Sequence, residues 1–263
     1  MKQAEIGIFG GSGFYSLEGA EETEVKTPYG ELSAPVSIVE IAGRKVAFMP
    51  RHGKTHDKPP HAINYQANLY AFKQLGVKRV ISPCAAGSLQ PGIKPGEFVV
   101  LDQLFDRTHG RKDTFYDAKP VTHISMAEPY CPELRKAAIA ACKNENVPTH
   151  ETGTVVVING PRFSTKAESK FYHSQGFHAI NMTQYPEASL ARELEMCFCG
   201  IALITDYDAG LAGHPEVKPV NVDDVVKVFH ANNEKIRRVL QKMIPLIPKG
   251  KCGCQESLKN ARI

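Results

Sequence analysis

Apolar residues along this chain fall in short runs separated by stretches with helical spacing. The runs at 6–9, 45–49, 79–81, 97–101, 154–158, 178–180 and 199–204 predict strands. Several are almost continuously apolar, as expected of strands covered on both faces. Between them, 64–75, 131–144, 164–175 and 186–195 repeat apolar positions at three- and four-residue intervals, and 222–247 forms a long amphipathic terminal segment. This order predicts one α/β domain over residues 1–248, a sheet covered by helices. The glycines and charges of 249–263 predict a tail, mobile or tied down, outside the site.

In open α/β sheets, ligands bind beyond the carboxyl ends of strands, and those ends carry chemistry here. The last apolar run closes on Thr205-Asp206-Tyr207-Asp208. Residues two apart on an extended chain point to one side, so Asp206 and Asp208 can face one pocket, one exchanging a proton and the other orienting a ligand. On these four residues alone, a polar turn whose aspartates cap the next helix is the plainer reading. After the first run, Gly10-Gly11-Ser12-Gly13 offers backbone N–H groups and the Ser12 hydroxyl to an oxyanion. Pro50-Arg51-His52-Gly53 adds a planar cationic fork and a further donor, unless Arg51 is a surface residue and His52 a packed one. Ser82-Pro83-Cys84-Ala85-Ala86-Gly87-Ser88 brings small residues that let a ligand approach the backbone, or else an ordinary tight turn. Phe163 can stack on a flat ring and Thr183 can hydrogen-bond an anion, although a core aromatic and a helix cap are the usual uses of such residues.

Composition narrows the field. The net charge is +4, with basic residues interspersed until the last fifteen positions, which argues against a nucleic-acid footprint. No apolar run approaches the ~20 residues that cross a bilayer; the expectation is a soluble, untargeted cytoplasmic chain without a membrane partner. The seven cysteines do not have the spacing of a secreted disulfide scaffold. Cys252-Gly253-Cys254 lacks the two further ligands a metal site needs, so no metal is expected; unpaired thiols or a close-spaced redox pair remain.

Gly10-Gly11-Ser12-Gly13, Pro50-Arg51-His52-Gly53, Asn64-Tyr65-Gln66-Ala67-Asn68, Asp106-Arg107-Thr108, Met126-Ala127-Glu128-Pro129-Tyr130-Cys131-Pro132, Gly160-Pro161-Arg162-Phe163-Ser164, Asn181-Met182-Thr183, Pro186-Glu187 and Thr205-Asp206-Tyr207-Asp208 occur in one order. With these marks the chain resembles the trimeric purine nucleoside phosphorylases, and within them the 5′-methylthioadenosine phosphorylases, from Ile6 to about Pro248. The resemblance implies a mixed, twisted central sheet, and attack of inorganic phosphate on C1′ of a purine nucleoside without metal or organic cofactor. It places phosphate against Ser12, Arg51, His52, the Cys84-Ala85 backbone and Thr183. Where animal members present a threonine hydroxyl, this chain has Cys84, a weaker donor, so backbone N–H groups should matter more there. Met182 is implied along the ribose, Phe163 against base or sugar, and Asp206 and Asp208 at the purine, with Asp206 nearest N7.

The resemblance also bears on substrate choice. Members that prefer 6-oxopurines carry Asn at the position of Asp206, Glu at that of Ser164, and a His where Val222 stands; Val222 with Val225 would seat a methylthio group. His123 is implied to cross from a neighbouring subunit and close the 5′ end, making a homotrimer necessary. Three other functions stay open: a phosphorylase for 5′-methylthioinosine or 6-oxopurine nucleosides, a nucleoside-binding protein without turnover, and a dinucleotide-dependent oxidoreductase. The last lacks G-x-G-x-x-G spacing in its glycine turn.

Overall fold

The computed structural model describes residues 3–17, 19–215, 217 and 222–262; the side chains of 222–226 lie outside that description. The chain runs β1 (Ile6–Gly10), β2 (Glu21–Thr23), β3 (Val36–Ile41), β4 (Arg44–Pro50), α1 (Tyr65–Gln74), β5 (Arg79–Ser88), β6 (Phe98–Val100) and β7 (Gln103–Arg107). It continues through α2 (Pro132–Asn144), β8 (Thr149–His150), β9 (Thr154–Ile158), α3 (Lys166–Ser174), β10 (Ala179–Asn181), α4 (Gln184–Glu193), β11 (Cys197–Tyr207) and α5 (Val222–Leu246).

The strands form a single mixed sheet in the order β2-β3-β4-β1-β5-β10-β9-β7, with β11 alongside β5, β6 beside β11, and β8 beside β6. Helices cover both faces. On one, Leu69 and Phe72 of α1 and Ala188 and Leu190 of α4 pack against Phe9 and Val80. On the other, Leu134 and Ala138 of α2 and Ile236, Leu240 and Met243 of α5 cover Ile6, Ile8 and Ile201. The apolar stripes of these helices are what the sheet buries.

β5 positions the site. It pairs with β1 in parallel at Arg79, Val80 and Ile81 and with β10 in antiparallel at Gly87 and Ser88. In between, Ser82–Ala86 have a strand neighbour only on the β11 side. The gap opens a cavity between the carboxyl ends of β1 and β4 and the end of β10. A tight turn was one reading of residues 82–88; they are strand instead, because β11 hydrogen-bonds alongside them throughout.

β11 also runs past its apolar core to Tyr207, with a bulge between Ile204 and Asp206 that makes Thr205 the extra residue. Asp206 therefore lies inside a strand rather than after one. The 249–263 tail is tied down: Cys252 and Cys254 are buried, and residues 253–256 form a short 3-10 turn.

Candidate active site

The gap beside β5 is a cavity of about 530 Å³, walled by Ser12, Arg51, His52, Cys84, Ala85, Phe163, Met182, Thr183, Asp206 and Asp208. Residues from six separate segments of the chain thus converge on one space. Gly13, with φ of +73°, makes the turn after β1; a Cβ there would stand 2.3 Å from Phe229 of α5, which also lines the cavity. Ser164 and His123 do not line this cavity, and a third expected group falls outside the described residues. Ser164 stands behind Asp208. His123 is exposed on an irregular segment away from its own chain's cavity. The Val222 and Val225 side chains fall outside the described residues.

One end of the cavity carries a buried cation. Arg51 is 1% exposed and held on all sides. Its Nε donates to Glu187 Oε1 at 2.7 Å, Nη2 to Glu187 Oε2 at 3.2 Å and to Ser82 Oγ at 2.7 Å, and Nη1 to the Pro83 carbonyl at 2.9 Å. A guanidinium has five N–H bonds, so one Nη1–H remains for a ligand. Glu187 is itself 1% exposed and also accepts from Ser82 Oγ at 2.6 Å. Arg51 is thus no surface residue, and its fork grips Glu187 rather than standing free for phosphate.

His52 Nδ1 lies 2.9 Å from the Lys58 carbonyl, which makes Nδ1 the donor and leaves the Nε2 lone pair. Burial, and then the neighbouring Arg51 charge, push the imidazole down to about 4. The donor expected of His52 is therefore committed to the backbone. The neutral ring offers an acceptor suited to a P–OH group. Between about 4 and the ordinary 6.5, an unfolded chain binds a proton that the native ring refuses. Stability from this group is therefore full above pH 6.5 and lost as pH falls towards 4, by up to about 3 kcal/mol. Thermal melts across that range should show a shallower acid decline for His52→Gln than for the parent.

Thr183 opens α4 without a side-chain capping bond, so its hydroxyl is not used as a helix cap. The Cys84 thiol donates to the Ile201 carbonyl at 3.7 Å and accepts from Asn181 Nδ2 at 3.1 Å, and burial raises it to about 11. The Cys84 sulfur is thus tied into the sheet, and Cys84 and Ala85 both line the cavity.

The opposite end holds the carboxylates. Asp206 Oδ2 accepts from Thr205 Oγ1 at 2.7 Å. Burial, opposed by that bond and reinforced by the Asp208 charge, raises the Asp206 carboxyl above its ordinary value. Asp208 accepts the Ser164 hydroxyl, with both oxygens 2.7 Å away, and makes no capping bond to the turn it precedes. The two carboxylates therefore sit in unlike surroundings, and neither serves as a plain helix cap. At Gly87, a Cβ would lie 3.2 Å from Asp206 Oδ1, so glycine gives that carboxylate room against β5. Phe163, 78% exposed, stands at the mouth of the cavity.

Some of the machinery was not assigned a role from sequence. Glu187 of α4 is one of the marks of the resemblance, but no role was attached to it. Arg111 donates to the carbonyls of Asn159 and Met182 at 2.9 Å and to that of Tyr185, lying over the Tyr65 ring, and so fastens the loops that carry Met182 and Pro161. His56 stacks on His52 with ring centres 4.6 Å apart. In the sequence, only the four-residue spacing of His52 and His56 and the Pro186-Glu187 mark hinted at them.

Residues 5–245 match the model of the phosphorylase superfamily. The chain is 50% identical to the S-methyl-5′-thioadenosine phosphorylase of Thermofilum pendens, over 100% of both chains. It is 47% identical to the 6-oxopurine nucleoside phosphorylase of Pyrococcus furiosus, over 97% of this chain and 98% of that one. Its structure superposes on that of a methylthioadenosine phosphorylase from an antarctic soil metagenomic library with a TM-score of 0.93 at 37% identity, over 100% of this chain and 93% of the other.

Proposed function

The chain belongs to the phosphorylase superfamily, and on that premise we propose that its cavity cleaves 5′-methylthioadenosine with inorganic phosphate, releasing adenine and 5-methylthioribose 1-phosphate. The observation that carries this reading is one cavity that gathers Arg51, His52 and Thr183 at one end and, at the other, the Asp206 carboxyl that burial raises. Breaking an N-glycosidic bond builds positive charge on the sugar and negative charge on the departing base. Phosphate against Ser12, the Arg51 Nη1–H, the Ala85 backbone and Thr183 supplies the anion at C1′ and attacks it. Asp206, raised by burial, keeps a proton for N7, and Asp208, held by Ser164, orients the purine. Met182 lies along the ribose and Phe163 closes over the ring system.

Further elements of the reading follow from the family. Phosphate is a co-substrate and the reaction needs no metal or organic cofactor. Val222 and Val225 seat the methylthio group. His123 completes the site of a neighbouring subunit in a homotrimer, which accords with its exposure away from its own cavity. The enzyme serves purine and methionine salvage in the cytoplasm; among the described residues no helix is long and apolar enough to cross a membrane.

The similarity to a 6-oxopurine nucleoside phosphorylase favours a second reading, cleavage of 5′-methylthioinosine or inosine. The two are separated by kcat/KM for 5′-methylthioadenosine, 5′-methylthioinosine, adenosine and inosine. Fastest turnover of 5′-methylthioadenosine is expected. A lead for either 6-oxopurine would overturn the assignment of Asp206 and leave the phosphate end standing.

A further inference from the structure

Four cysteines from distant parts of the chain, Cys131, Cys197, Cys252 and Cys254, bring their sulfurs within 4.8 Å of one another. All are buried. Cys131 precedes α2 and is fastened beside β11 by its N–H to the Phe198 carbonyl at 2.7 Å. Cys197 is the first residue of β11. Cys252 and Cys254 come from the tail's short 3-10 turn, closed by Gln255 N–H to the Cys252 carbonyl at 2.9 Å.

Burial of thiols as small apolar groups does not explain this convergence, because Cys84, Cys142 and Cys199 are as buried and stay out of it. The Cys131 and Cys252 sulfurs stand 3.7 Å apart. That is far beyond the ~2.05 Å of a disulfide. It matches the ~3.8 Å between thiolates arranged tetrahedrally around an ion with bonds of about 2.3 Å.

We propose that these four cysteines form a structural tetrathiolate site for a zinc-class divalent cation, which staples the tail to the core. Four sulfurs and no oxygen ligand select a soft or borderline tetrahedral ion and leave no open position for catalysis. Binding displaces the thiol protons, and the site then carries net negative charge. Positive groups flank it: Arg79 is the register neighbour of Cys197 on β5, is 4% exposed, donates Nη2 to the Gly250 carbonyl, and has no partner for Nε among the described residues. A cleft of about 360 Å³ lined by Lys73, Lys251 and Cys252 gives the ion a path in from solvent.

The staple reaches further than the tail. Beyond the cluster, the Ala261 carbonyl accepts the His123 N–H at 2.7 Å, and Arg262 bridges to Thr122. Fixing Cys252 and Cys254 thus fixes the strand of tail on which the His123 segment leans. This inference is independent of the proposed reaction.

The test is metal analysis of the full chain purified without chelator or reductant, with thiols counted after denaturation in chelator. The expected result is one zinc per chain and all seven thiols titratable. Cys252→Ser and Cys254→Ser should lose the zinc, while Cys142→Ser keeps it. Cobalt added to the metal-stripped protein should give the intense sulfur-to-metal charge-transfer absorption of a tetrahedral thiolate site. Absence of metal overturns the proposal, whether the four cysteines then prove oxidised in disulfides or free. The parent protein's zinc content and thiol count decide this even where a serine variant fails to fold.

Discussion

Replacing Asp206 by asparagine lowers kcat/KM for 5′-methylthioadenosine by about 10²–10⁴-fold, the usual contribution of a positioned general acid. Asparagine keeps the volume and the hydrogen bond from Thr205 Oγ1, so the loss reports the missing proton rather than a collapsed pocket. The burial that raises the Asp206 carboxyl favours its protonated, proton-donating form. The parent's kcat/KM should therefore fall on the alkaline side as Asp206 ionises, and the variant should lose that limb. An amide can also donate to O6 and accept from N1–H, so the same variant should discriminate less against inosine. Steady-state kinetics on both substrates across pH reads all three effects; a rate within a few-fold of the parent would remove Asp206 from the chemistry.

Glu187→Leu costs roughly 3–5 kcal/mol of stability, because it leaves the 1%-exposed Arg51 guanidinium buried without its counter-charge. For a chain of this size the melting temperature should fall by about 10 °C. Arg51→Met strands Glu187 in the same way, and it also removes the Nη1–H that faces the cavity and places net negative charge beside the phosphate site. Joining the two substitutions replaces a buried ion pair by apolar side chains, which often restores stability. The double variant should melt close to the parent yet keep a KM for phosphate raised by about 10–100-fold, the worth of a charged hydrogen bond. Recovery of both stability and phosphate affinity would show that Arg51 serves the fold alone.

How legible all this was in the sequence depended on range. β9 at Thr154–Ile158 coincides with an unbroken β-branched run, and α2 begins where Pro132 follows Cys131. β7 at Gln103–Arg107 went unseen because it exposes Asp106 and Arg107 and has no apolar rhythm. β5 looked finished at Ile81, since the small residues beyond it owe their extended form to β11, more than a hundred residues away. The cavity wall was readable because each wall residue directly follows a strand signal, and the fold gathers strand ends. What those residues bond to was not. Arg51 finds Glu187 136 positions later, and Cys252 finds Cys131 121 positions earlier. No local spacing records such pairs, so a free phosphate fork and a Cys-Gly-Cys with no further cysteines beside it were the natural expectations.

The most direct test of the account is adenine release from 5′-methylthioadenosine with and without inorganic phosphate, with phosphorus resonance following the sugar product. The account predicts release only when phosphate is present, with 5-methylthioribose 1-phosphate and adenine formed in equal amounts. Release that proceeds as fast without phosphate, yielding the free sugar, would contradict it.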